Sequence, residues 1–235
     1  MPVTLNVDEF FKRLKALRSS SVAKSHSHLA SDDTDVILGV RMGQVFALAK
    51  EFMGMPLDEI EKLLESPIHE ARVGAVSIMD FQARSRKTTE TRRKELFELY
   101  IRRHDRINTW DLVDRSAPYV IGGYLFEKSR KILYKLARSR NMPERRTAIV
   151  STGFFIRQAD VDDTFKLVEI LMNDNEDLIH KATGWMLRAA GDVDQQKLLT
   201  FLDKHAASMP RITLRYATEH LDKKQRTAYL ELKRG

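Results

Sequence analysis

The pentapeptide Trp110-Asp-Leu-Val-Asp114 sets an indole and a carboxylate four residues apart. On a helix, positions i and i+4 share a face, so Trp110 and Asp114 make a small surface with one negative charge beside an electron-rich ring. Such a surface suits a positive charge, which the carboxylate stabilises electrostatically and the ring attracts through its quadrupole. A second cluster, Lys181-Ala-Thr-Gly-Trp185-Met-Leu-Arg188, relates Lys181, Trp185 and Arg188 by i,i+4 and i,i+3 spacing. These are the chain's two tryptophans, and both lie beside charged residues. A third stretch puts Arg145 and Arg146 in the first turns of a helix. Cations there oppose the helix dipole, which points to a role outside the helix: a phosphate contact, or a partner for Asp114.

Each feature also has a plain structural reading. With Asn108 as N-cap, Asp111 falls at N3, where an acid suits the positive end of the dipole. Asp114 can form an ion pair with Arg115 or Arg146, and the tryptophans can be core residues in different layers. The small residues Ala182 and Gly184 would let another element approach the second cluster closely.

The chain has 235 residues and a net charge of +7, which favours a polyanionic partner such as nucleic acid. There are no cysteines, which excludes disulfides, Cys-ligated metals and thiol nucleophiles. His26 and His28 form an H-x-H, but no further ligand spacing accompanies it, so no metal site is expected. Phosphate-loop, dinucleotide-fold and nucleophile-elbow glycine motifs are missing, and no cofactor is expected. There is neither a secretory signal nor an apolar run of about 20 residues, which leads us to expect a cytoplasmic protein with no membrane partner.

The elements that must position these residues are helices. Apolar residues recur at helical spacing along nearly the whole chain, with no convincing strand. The pattern predicts helices over 36–53, 56–65, 66–83, 90–104, 108–121, 124–139, 143–158, 160–172, 176–190, 192–205, 210–221 and 224–233. Ser66 is read as a cap and Pro67 as N1. The polar, Ser-rich stretch 19–35 is expected to be a loop. Several second helices share a pattern, and Arg72, Asp111, Arg146, Lys181 and Arg215 mark it at intervals of 39, 35, 35 and 34 residues. That period fits an all-α solenoid of HEAT-like antiparallel helix pairs forming a single domain over 1–235. If the markers face its concave side, they line a basic groove interrupted by Asp111.

Three motifs in register, Trp110–Asp114, Arg145–Val150 and Lys181–Arg188, resemble the AlkD-like DNA alkylation repair glycosylases. Ile37–Glu51 is similar to that family's Φ-L-G-V segment. The resemblance spans roughly residues 36–221. It implies a HEAT-like fold that grips duplex DNA in a basic groove and hydrolyses the N-glycosidic bond of positively charged alkylated purines, the 3-methyladenine and 7-methylguanine type. It carries the catalytic acid onto Asp114, the flanking aromatics onto Trp110 and Trp185, and the essential arginine onto Arg146. DNA contacts are expected from Arg72, Arg145, Lys181, Arg188 and Arg215, in a monomer. Two departures stand out. Gln44, Val45 and Phe46 occupy positions where the family often has basic residues, and residues 19–35 contain no tyrosine to match its N-terminal aromatic. The alternatives are a DNA-binding protein without catalysis that recognises damaged or branched DNA, and a scaffold for protein partners.

Overall fold

Local chemistry sets where the first helices begin and end. In the computed structural model, which describes residues 5–26 and 35–232, α1 (Val7–Ala16) is capped by the Asn6 side chain, which accepts from the Glu9 amide at 3.0 Å. Packing divides the chain into two compact units, Met1–Tyr124 and Leu125–Gly235. Both are built from helices, and among the described residues the sole β-type pairing is an isolated parallel bridge between Val36 and Ile68.

In the first unit, part of the expected 19–35 loop is helical: α2 (Ser20–His26) follows directly on Ser19. His28 lies outside the described residues. The helix expected from Val36 starts later, as α3 (Met42–Glu51). The cause is Gly39, whose φ of +87° belongs to the left-handed region. Its carbonyl accepts from the Ser19 amide at 2.8 Å, and a Cβ at this position would lie 2.2 Å from the Ser19 carbonyl oxygen. The Glu70 carboxylate fixes the turn by accepting from the amides of Leu38, Gly39 and Val40 at 2.9, 2.7 and 3.1 Å. The Φ-L-G-V segment is therefore an irregular backbone wrapped around a buried anion.

Four further helices complete this unit: α4 (Leu57–Leu64), α5 (His69–Arg84), α6 (Glu90–Arg102) and α7 (Trp110–Ala117). Ser66 does not cap α5. Its hydroxyl accepts from the Ile68 amide at 3.0 Å, and Ile68 is the N-cap residue. α5 is the central helix, with α3, α4, α6 and α7 packed on it, and its residues 69–80 are all buried. The end of α7 widens into a π-helical turn, Pro118–Gly122, followed by the short α8 (Gly123–Leu125). Proline lacks the amide that would continue the i→i−4 ladder.

In the second unit, α9 (Lys131–Leu136) is much shorter than the helix expected over 124–139. It is followed by α10 (Met142–Arg157), α11 (Asp162–Leu171), α12 (Asp177–Val193), α13 (Gln195–His205), α14 (Arg211–Ala217) and α15 (Lys223–Glu231). α10, α12 and α14 pack side by side in that order, α11 lies against α10 and α12, and α13 lies against α12. Arg146, Lys181 and Arg215 are each the fifth residue of their helix, so the 35- and 34-residue spacing reflects true register here. Gly184 meets α14 closely, since a Cβ there would lie 2.6 Å from Tyr216 Cβ and 2.7 Å from the Thr213 carbonyl oxygen. No helix among the described residues is long and apolar enough to cross a membrane.

Gly39→Ala should destabilise the protein by about 2–4 kcal/mol, because the new Cβ meets backbone that cannot rotate away and the residue keeps a left-handed φ. A urea titration measures this as a lower midpoint with unchanged slope.

Candidate active site

α7 carries two stripes with i,i+4 spacing. Asp111 and Arg115 form one, and Trp110 and Asp114 form the other. The first stripe binds α7 to α5. Asp111 Oδ2 lies 2.8 Å from His69 Nε2, and its Oδ1 accepts from the Thr109 hydroxyl at 2.7 Å. One turn on, Arg115 donates through Nε to the Ser77 hydroxyl at 3.0 Å and through Nη1 to Asp80 at 2.7 Å. The second stripe is left towards the surface. Trp110 is 38% exposed, and Asp114 is half-buried.

The helix-start reading of Asp111 is therefore modified. Thr109 is the N-cap residue, Asp111 stands second in the helix, and its partners are side chains. Burial pushes the Asp111 carboxyl up, but the hydrogen bonds with His69 and Thr109 outweigh it and hold the group below its ordinary range. His69 is wholly buried, and its Nδ1 has no hydrogen-bond partner among the described residues. Arg115, one of the two partners suggested for Asp114, pairs with Asp80 instead.

In the second unit, Arg146 is buried and donates to the Leu178 carbonyl, the first turn of α12. Trp185 is half-buried on α12, in line with exposed Lys181. Neither tryptophan is a core residue.

The expected DNA-contact set divides. Lys181 and Arg215 are exposed and form no ion pair among the described residues. Arg188 is paired with Glu219. Arg145 clamps Asp174 through two bonds of 2.5 and 3.0 Å and also donates to the Ser139 and Arg140 carbonyls. This accounts for a cation at an unfavourable helix start, because the arginine ties α10 to the turn before α12. Arg72 does not line a solvent-facing groove. It is wholly buried and holds Asp35 with bonds of 2.6 and 2.7 Å. A fully buried guanidinium needs a carboxylate partner, and Asp35 lay in a stretch read as loop.

Sequence reasoning missed His69, Thr109, Asp80 and Glu70. All act by satisfying a buried polar group, and only a helix-start acid with a hydroxyl two residues before it hinted at any of them.

His69→Ala should cost about 2–4 kcal/mol, since it opens a cavity and leaves the Asp111 carboxylate short of a partner. A folded pKa depressed below the unfolded one gives stability that is present above the ordinary carboxylate range and lost as pH falls through the folded value. The His69→Ala penalty should therefore be full at pH 7 and shrink below about pH 4. Thermal melts of both proteins across that range measure the difference.

The sequence matches the profile of the family described as DNA alkylation repair enzyme over residues 10–221. The fold is similar to that of a solved structure described as a predicted DNA alkylation repair enzyme from Enterococcus faecalis. The two share 17% sequence identity and a TM-score of 0.68, with 88% of this chain and 97% of that one covered. No curated protein matches. With nearly its whole length matched by the profile and its fold shared, this chain belongs to the DNA alkylation repair enzyme family.

Proposed function

We propose that the protein is a monofunctional DNA glycosylase that hydrolyses the N-glycosidic bond of positively charged alkylated purines in duplex DNA. The observation that carries this reading is the pairing of the Trp110 indole, 38% exposed, with the Asp114 carboxylate on one face of α7, beside the stripe by which Asp111 and Arg115 bind α5.

The chemistry needs little more. Cleavage passes through an oxocarbenium-like sugar. A purine methylated at N3 or N7 already carries positive charge and departs without a strong general acid. What remains is an anion near C1′ to stabilise the sugar cation and orient water, and Asp114 serves as that anion. Trp110 offers a ring face to the cationic nucleotide, and in the second unit Trp185 offers a further aromatic face to DNA. Arg146, buried and donating to the Leu178 carbonyl, positions the start of α12, and Lys181 and Arg215, both exposed, contribute screened contacts to backbone phosphates. Arg188 joins them where Glu219 yields to phosphate. Arg72 and Arg145 are assigned to the scaffold, because both are occupied by buried or nearly buried carboxylates.

Duplex DNA treated with a methylating agent tests the proposal. Free 3-methyladenine and 7-methylguanine should be released, whereas neutral lesions such as uracil or hypoxanthine in the same duplex should not. Salt-sensitive binding of the methylated duplex without base release would favour a non-catalytic DNA-recognition protein. Equal release of neutral bases would remove the requirement for a charged leaving group.

A further inference from the structure

On the reading that the protein binds DNA, we propose that Arg115 and Arg84, held by Asp80 and flanked by aromatic rings, form an additional clamp for one backbone phosphate in the first unit. The cluster joins three elements. The Arg115 guanidinium lies 4.9 Å from the Phe46 ring centroid and 4.8 Å from that of Phe81. Arg84 stacks 3.9 Å over Tyr119 and donates through Nε to Asp80 at 2.9 Å. Asp80 is completely buried and serves both arginines.

Charge balance is the first argument. Two guanidiniums share one carboxylate, so the cluster carries a net +1 in partly desolvated surroundings. Burial lowers the Arg115 pKa against the attraction of Asp80, and the neighbouring Arg84 lowers it further. An anion that reached this point would offset the repulsion between the two guanidiniums and stabilise their charged forms.

Geometry is the second. Nε and Nη1 of Arg115 are occupied by Ser77 and Asp80, while Nη2 has no hydrogen-bond partner among the described residues. The Arg115 side chain keeps 17% of its surface and that of Arg84 keeps 44%. A guanidinium fixed on one edge and stacked on rings offers its remaining donors without further loss of rotamer freedom, which favours phosphate over a freely mobile lysine. Phe46 and Phe81 are half-buried, and their remaining surface suits the apolar edge of a deoxyribose.

The test is the salt dependence of binding to a short undamaged duplex, measured by fluorescence anisotropy on the full chain between about 50 and 200 mM salt. Arg115→Met keeps the aliphatic stem between the rings and leaves Asp80 paired with Arg84. Arg84→Met removes the more exposed partner and keeps Asp80 paired with Arg115, so a misfolded Arg115 variant does not end the test. Each substitution makes the cluster neutral. Either variant should bind roughly tenfold more weakly and lower the slope of log K against log salt by about 0.9. Weaker binding with an unchanged slope in both would show a purely structural cluster and overturn the clamp. Absence of salt-sensitive binding by the unaltered protein would instead overturn the DNA reading on which the clamp rests.

Discussion

The buried charges of α5 and its neighbours constrain everything else in the first unit. α5 runs through the centre of the unit yet carries His69, Glu70, Arg72 and Asp80 at fully buried positions. A buried charge without a partner costs several kcal/mol, and each of these groups has found one. His69 meets Asp111, Glu70 meets three backbone amides, Arg72 meets Asp35, and Asp80 meets Arg84 and Arg115. These contacts hold both the Φ-L-G-V segment and α7 against α5. They set the rotation of α7 about its axis, and so which of its residues remain for a ligand.

Two pairs with the same spacing on one short helix therefore have different fates. Asp111 and Arg115 turn inward and are matched, while Trp110 and Asp114 occupy the adjacent stripe. Both oxygens of Asp111 are engaged, Oδ2 with His69 and Oδ1 with the Thr109 hydroxyl, which makes it part of the scaffold. Asp114 lies on the other stripe, beside the exposed indole of Trp110, so the two acids of α7 occupy different surroundings.

Much of this was legible in the sequence. Helical periodicity revealed the all-α architecture, and the 34- to 35-residue spacing of Arg146, Lys181 and Arg215 matches equivalent positions on α10, α12 and α14. The small residues of the Lys181–Arg188 stretch indeed admit α14. What stayed hidden depends on tertiary partners. Gly39 in an apolar, helix-like run conceals a left-handed turn that only the Glu70 carboxylate explains. Arg72 looks like one more basic repeat position, because nothing near it in the sequence reveals that Asp35 neutralises it. Arg145 was singled out correctly for its awkward place at a helix start, but the reason proved to be Asp174.

The central claim is this division of labour between the two acids of α7, and base release per folded molecule tests it most directly when Asp111→Asn and Asp114→Asn are compared on methylated duplex. The account predicts that Asp114→Asn loses about 10²-fold or more in release rate per folded molecule. Asp111→Asn should melt lower and keep its release rate within a few-fold of normal once corrected for the folded fraction. Normal release by the Asp114 variant, with the loss falling on the Asp111 variant, would contradict it.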